Sequence, residues 1–272
     1  MDDVLGYQGT RAVVTGAASG MGQATARVLV ELGAEVIGLD VRTCEAPGVA
    51  SIEVDLRDEA SIDAAVAQID GPVNSLFACA GLPGPPFSDL DTMLVNFVGT
   101  RHLIDRVAPS MPEGSAVAWI ASQGGIGWQN NLERLMALIA TDGFVAGKQW
   151  CEDNAEAIAA GSAYATSKQA VNAFVASQSR AFYAKGLRIN CSNPGPTETP
   201  MMPAFHESAG KELVDMAIGA VPRYSTAEEQ AWPVVFLNSP RLSYVTGEAF
   251  GADGGFFGLL TTNQIDFSAL TG

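Results

Sequence analysis

The sequence predicts an α/β fold, an open, doubly wound parallel sheet with helices on both faces. Three observations carry that expectation. Short apolar runs alternate with amphipathic stretches along the whole chain, the pattern of a parallel sheet flanked by helices. A glycine-rich turn, T-G-A-A-S-G-M-G (Thr15 to Gly22), joins the first apolar run to the first helical one. Asp40 closes the second run, 18 residues after Gly22.

Taken in order, the first strand is Arg11–Thr15 (R-A-V-V-T), and a helix over Met21–Leu32 follows the glycines. Strands follow at Glu35–Asp40 and Ala50–Asp55, then a helix near Asp58–Gln68. The fourth strand, Ser75–Cys79, leads into G-L-P-G-P-P, an irregular connection stiffened by its prolines. A long helix is expected over Asp89–Ala108, then a strand at Ala116–Ala121. Helices over Ala163–Ala184, Pro200–Ala220 and Ala227–Leu237 alternate with strands Arg188–Ser192 and Ala249–Ala252. Repeated strand–helix–strand units cross over right-handed and wind the sheet in both directions.

One segment breaks the alternation. Residues Gly124 to Gly161 stand where a short loop is usual. They hold helical pieces, Leu132–Ala140 and Lys148–Ala160, with apolar Trp128, Leu132, Leu135, Met136, Ile139, Phe144 and Trp150. We read a small helical insertion (about 124–161) inside a single domain spanning 1–272.

Bulk properties exclude several partners. A chain of 272 residues, 47% apolar, can bury a large core as one domain. Its formal charge of −15, from 15 Lys+Arg against 30 Asp+Glu, argues against nucleic acid, which needs a cationic surface. It disfavours acidic carrier proteins, acyl-CoA tails and anionic membranes in the same way. No apolar stretch approaches the ~20 residues of a membrane helix, and the N-terminus lacks a secretion-type apolar region. Cys44, Cys79, Cys151 and Cys191 show no metal-ligand spacing and fit reduced thiols, with Cys79 and Cys191 expected buried at strand ends. With only His102 and His206, no metal site is expected. The expected compartment is the cytoplasm.

The glycine motif is G-x-x-x-G-x-G at Gly16, Gly20 and Gly22. Glycines there permit a tight turn and let the backbone approach a pyrophosphate at the positive end of the next helix. Alone, such a motif is more often a plain turn; the strand before it and the helix after it supply the required context. Asp40 can accept both ribose hydroxyls of an adenosine and would repel a 2′-phosphate. No Arg lies in the glycine loop, and Arg42 lies two residues beyond Asp40. NAD(H) is therefore expected over NADP(H). Asp55-Leu56 can meet the adenine, and an N-cap role for Asp55 is an equal alternative.

Tyr164 and Lys168 in Y-A-T-S-K are neighbours on one helix face at i and i+4. An ammonium beside a phenol, whose ordinary pKa is about 10, stabilises the phenolate and suits the phenol to acid–base work.

With these motifs together, the chain resembles the short-chain dehydrogenase/reductases of the single-domain Rossmann type, over essentially its whole length. The resemblance implies that Ser122 in W-I-A-S-Q-G-G, Tyr164 and Lys168 are catalytic, with Asn96 of V-N-F-V-G holding a water beside Lys168. A strand-end turn for Ser122 and a capping or buried polar role for Asn96 are the alternatives. Pro194-Gly195, Thr197 and Thr199 of N-P-G-P-T-E-T match the segment that grips the nicotinamide carboxamide. The implied cofactor contacts are Gly16, Ser19, Gly20, Met21, Gly22, Asp40, Val41, Asp55, Leu56, Ala80, Gly81, Tyr164 and Lys168, with that segment. Two departures stand out: the family's N-N-A-G is here Ala78-Cys79-Ala80-Gly81, and 42 residues separate Ser122 from Tyr164. Both are similar to bacterial 3α-hydroxysteroid dehydrogenase/carbonyl reductases.

The implied activity is oxidation of a bulky apolar secondary alcohol, or reduction of the ketone, steroid, terpenoid, alicyclic or aryl. Substrate contacts are expected from Ser122, Trp128, Met201, Met202 and Phe205. Further walls are Leu132, Met136, the Pro83–Phe87 loop, Phe256, Phe257 and Leu259, with Arg134 and Arg223 the nearby cations. A homo-oligomer, dimer or tetramer, is expected. Alternatives are an inactive NAD-binding sensor or scaffold, a sugar-nucleotide epimerase, and a β-ketoacyl reductase, the last disfavoured by the acidic charge.

Overall fold

Seven parallel strands carry the molecule, and the apolar runs of the sequence are those strands. The computed structural model describes residues 3–265. The first half contains β1 (Arg11–Thr15), α1 (Gly20–Glu31), β2 (Glu35–Asp40), β3 (Val49–Glu53), α2 (Glu59–Val66) and β4 (Ser75–Ala78). Next come α3 (Asp89–Met93), a π-helical turn (Leu94–Val98), α4 (Gly99–Val107) and β5 (Ala116–Ile120). After β5 lie α5 (Leu132–Ile139), α6 (Gly143–Asp153), α7 (Ala155–Ala160) and the long α8 (Ala163–Tyr183). The chain continues through β6 (Arg188–Pro194), β7 (Thr197–Glu198), α9 (Met202–Ala209), α10 (Lys211–Met216) and β8 (Ser225–Thr226). It closes with α11 (Ala227–Asn238), β9 (Ala249–Ala252) and α12 (Phe256–Thr261).

The sheet order is β3-β2-β1-β4-β5-β6-β9, and every pairing is parallel. Strand order reverses between β1 and β4, which opens a crevice at the carboxyl edge where such sheets bind ligands. Alternate residues feed two cores. Val13, Leu76, Val117, Trp119 and Ile189 face the α2–α8 side, while Ala12, Val14, Phe77, Ala118 and Ile120 face α1 and α11. Trp119 is fully buried, stacks on Phe97 at 5.7 Å and meets Phe174 edge-on at 5.8 Å. This packing holds β5 and the Ser122 that follows it.

Three expected helices are interrupted. The Asp89–Ala108 helix is split by the π-helical turn, which inserts one residue and turns Asn96 inward to full burial. The Pro200–Ala220 helix is two, parted at Gly210, whose φ of +85° no helix tolerates. The second insertion helix starts earlier, at Gly143, and breaks at Asn154. Helices α5 to α7 lie against α3, α4 and α8. Arg101 of α4 fastens α5 by donating to the carbonyls of Leu138 and Ile139 at 3.2 and 3.3 Å. Among the described residues no helix is long and apolar enough to cross a membrane.

Candidate active site

The turn between β1 and α1 admits glycine for measurable reasons. Gly16 and Gly20 have φ of +68° and +55°, and a Cβ on Gly22 would lie 2.2 Å from the Gly16 carbonyl oxygen. The Thr15 hydroxyl accepts from the amides of Cys79 and Ala80, both at 3.0 Å, tying the turn after β4 to β1. That is how A-C-A-G closes here without asparagine. A cavity of about 300 Å³ opens above, lined by Gly16, Ser19, Gly20, Met21, Gly22, Asp40, Val41, Asp55, Leu56, Ala80, Gly81 and Thr199. Cys79 also lines it, largely buried with some surface left open, and Cys191 is buried as expected. Burial pushes the Cys79 thiol up to about 12.

Its far wall carries a repeated Asp-x-Arg device from adjacent strands β2 and β3. The Asp40 carboxylate accepts from the Ala18 amide at 3.1 Å and the Arg42 amide at 3.0 Å, and Arg42 donates to the Ser19 hydroxyl at 2.9 Å. Asp55 accepts from the Arg57 amide at 2.9 Å and from its guanidinium at 2.7 Å. The Arg57 hydrogen bond holds the Asp55 carboxyl below its usual range. Asp58, not Asp55, caps α2, accepting from the Ala60 amide at 3.1 Å. Arg42 and Arg57 both line the cavity, and sequence reasoning missed their part; D-V-R and D-L-R at matching strand ends were the available signal.

Ser122, Tyr164, Pro194, Gly195, Thr197, Met201, Met202 and Phe205 line a second cavity, about 410 Å³ and largely apolar. Met21, Thr199 and Met201 border both cavities, so the two form one cleft. Phe205 stands edge-on to Tyr164, ring centroids 5.0 Å apart. Ser162, which caps α8, is held at a φ of +63°, a strained conformation of a kind that persists where the surroundings enforce it.

Neither Lys168 nor Asn96 is among the lining residues of these two cavities. Lys168 is 4% exposed, donates to the Ile120 carbonyl at 3.0 Å, and is lowered by burial to about 8. Burial raises the Tyr164 phenol, and a hydrogen bond with Ser122 draws it back. Desolvation prevails over that bond, and the net direction is upward. The Asn96 side chain donates to the Leu82 carbonyl and Ser167 hydroxyl, each at 3.0 Å, and accepts from the Leu82 amide at 2.7 Å. With those bonds it clamps the loop after β4.

Several expected pocket walls lie elsewhere. Trp128 sits in a turn against α8 and packs into the core, outside the cavity lining. Leu132 and Met136 are absent from the lining too: Leu132 is exposed, and Met136 packs against the core. Phe87 borders the glycine-lined cavity. On α12 the lining residues are Phe256 and Leu260, not Phe257 and Leu259, one position round the helix. Arg134 donates to the Ala157 carbonyl and Arg223 pairs with Glu229, so neither cation faces the cavity. Gln123, Ile126, Leu213, Val214 and Ala217 are further wall residues; the break at Gly210 hid the α10 members.

The residues present fit a dinucleotide. Gly16, Gly20 and Gly22 line the cavity at the α1 N-terminus, where a helix end favours a phosphate. Asp40 lines the same cavity, and the other end of the cleft reaches Tyr164 and Pro194.

Comparison with known proteins agrees. Residues 10–132 match the family model described as short chain dehydrogenase, and residues 153–257 the model described as enoyl-(acyl carrier protein) reductase. Coniferyl-alcohol dehydrogenase of Pseudomonas sp. strain HR199 is 30% identical over 244 residues, 89% of this chain and 94% of the relative. The 3-alpha-hydroxysteroid dehydrogenase/carbonyl reductase of Comamonas testosteroni is 29% identical over 263 residues, 93% of this chain and 98% of the relative. The crystal structure of the 3-alpha-hydroxysteroid dehydrogenase from Pseudomonas sp. B-0831, complexed with NADH, superposes with a TM-score of 0.80 at 26% identity, covering 93% of this chain and 99% of the other.

Proposed function

The chain belongs to the short-chain dehydrogenase/reductase family of oxidoreductases, and from that premise we propose that it interconverts a bulky apolar secondary alcohol and its ketone using NAD(H). The observation that carries this reading is the shared wall of Ser122 and Tyr164 in an apolar cavity that runs into the glycine-lined one.

In the oxidative direction Tyr164 takes the hydroxyl proton as general base; in reduction it returns it to the carbonyl oxygen. The Ser122 hydroxyl hydrogen-bonds that same oxygen and fixes it against the phenol. Lys168, four residues from Tyr164 and buried, holds positive charge behind the phenolate and reaches toward the ribose of the cofactor. The nicotinamide, when bound, supplies the hydride acceptor or donor. Asn96 positions the loop Ala80–Leu82 through its side chain, and a water relay to Lys168 would run by the backbone of the π-helical turn.

Asp40 supports NAD(H). Its carboxylate is 9% exposed and fixed by two backbone amides, so it cannot swing away from a 2′-phosphate. The apolar lining, with Met201, Met202 and Phe205, supports steroid, terpenoid, alicyclic or aryl substrates. The relatives' printed substrates, coniferyl alcohol and 3α-hydroxysteroids, are of that kind. The four free cysteines support a reducing, cytoplasmic setting. We expect a homo-oligomer whose contact avoids or recasts the α3–α4–α8 face that the insertion covers.

A panel of ketones and alcohols assayed with NADH against NADPH tests the reading. Bulky apolar ketones with NADH are expected to be turned over best. A profile led by small polyols or acyl thioesters would overturn it.

A further inference from the structure

One wall of the apolar cavity is a roof of two helices. Met202 and Phe205 come from α9, Leu213 and Val214 from α10, and Gly210 joins the two at a φ of +85°. A jointed roof needs something to set its angle. One side chain touches both leaves. The Tyr224 hydroxyl donates to Asp215 of α10 at 2.5 Å and meets His206 Nε2 of α9 at 3.0 Å. Lys211, one turn before Asp215, pairs with the same carboxylate.

Chemistry fixes the polarity of this chain. A carboxylate only accepts, so the single phenol hydrogen goes to Asp215, and His206 Nε2–H must donate to Tyr224. The hydrogen bond from Lys211, then that from Tyr224, hold the Asp215 carboxyl below its usual range. Burial and the Asp215 carboxylate push the Tyr224 phenol up to about 12, so donor and acceptor keep these roles at neutral pH. Tyr224 itself precedes β8, which pairs with β7 and is bonded at the Ser225 amide to the Pro196 carbonyl at 2.9 Å. It is thus a post rooted in the body of the protein. The α10 leaf has one more tie: Gln123, next to Ser122, donates to the Ala217 carbonyl at 3.1 Å.

We infer that Tyr224 is a positioning residue, latching α9 and α10 into one roof and thereby setting how the cavity grips a bulky substrate against Tyr164. The inference rests on the reading of that cavity as the substrate site. Phe205 connects the two: it adjoins His206 in sequence and stands edge-on to the Tyr164 ring at 5.0 Å. With the latch gone, the roof samples open states, and apparent affinity falls by the fraction still closed.

Tyr224→Phe removes one oxygen and both bonds. Hydrogen exchange of the backbone amides in residues 202–216 is expected to accelerate, with the sheet unchanged. KM for a bulky apolar ketone is expected to rise about tenfold, the scale of losing one charged-partner hydrogen bond, while kcat shifts less than about twofold. His206→Leu should act alike, His206→Gln should restore much of the wild-type behaviour because its amide donates, and Tyr224→Phe with His206→Leu should be clearly less than additive. Unchanged exchange and unchanged KM in Tyr224→Phe would overturn the latch, as would full additivity. Should Tyr224→Phe fail to fold, His206→Leu against His206→Gln decides by the same exchange readout. Faster exchange in a protein that turns over no ketone would support the latch and strike only the substrate reading.

Discussion

The ammonium of Lys168 lies 5.7 Å from the centroid of the Tyr164 ring, and its hydrogen bond runs not to that phenol but to the Ile120 carbonyl at 3.0 Å. A lysine is thus held beside the Tyr164 ring at the end of β5, in a place where burial opposes its charge.

Burial lowers Lys168 from 10.5 to about 8, which makes stability depend on pH in a definite direction. Between those values the unfolded chain binds the proton more than the folded one, so stability rises with pH. The gain is complete above the unfolded value and lost as pH falls through about 8. Urea midpoints measured against pH should show the wild type gaining about 3 kcal/mol relative to Lys168→Met across that window. A difference that stays flat would contradict the buried charge.

The hydrogen bond from Ser122 draws the Tyr164 phenol down against burial. Alcohol oxidation needs the phenolate, so its rate should climb with pH through the alkaline range. In Ser122→Ala that climb should move to higher pH, with turnover about 10²-fold lower at neutral pH. An unmoved pH profile would separate Ser122 from the phenol.

Asp40→Asn removes the carboxylate but leaves Arg42, whose guanidinium already reaches Ser19. The ratio of kcat/KM for NADH over NADPH should fall at least about tenfold, because a like-charge clash of several kcal/mol is relieved. Steady-state kinetics with both cofactors checks this.

Gly22→Ala drives a methyl to within 2.2 Å of the Gly16 carbonyl oxygen. Because that contact is backbone, the loop must move, at about 1–3 kcal/mol of stability. Thermal melts should show that loss, and cofactor titration should show binding weakened by more than about tenfold.

Much of this was legible in the chain. The sheet showed because parallel strands buried on both faces read as plain apolar runs, as in Val13-Val14 and Leu76-Phe77. The glycine turn, Asp40, and the Tyr164–Lys168 spacing showed because backbone sterics and helical period fix their positions in sequence. What stayed hidden depends on tertiary direction. The π-helical turn adds one residue without a compositional mark, so the break in the Asp89–Ala108 helix could not be foreseen, although a buried polar role for Asn96 was among the expectations. Trp128 is apolar and close to Ser122 in sequence, but its turn faces α8 and not the cleft. The net shift of Tyr164 depends on how completely the folded cleft excludes water, which no spacing records.

The central claim is that the Tyr164 phenol moves the proton of the reaction, and Tyr164→Phe tests it most directly. Fluorescence titration with NADH and ketone turnover should be measured on the same preparation. The account predicts wild-type cofactor binding with turnover lowered about 10²–10⁴-fold. Turnover within a few-fold of wild type, with the cofactor bound as before, would contradict it.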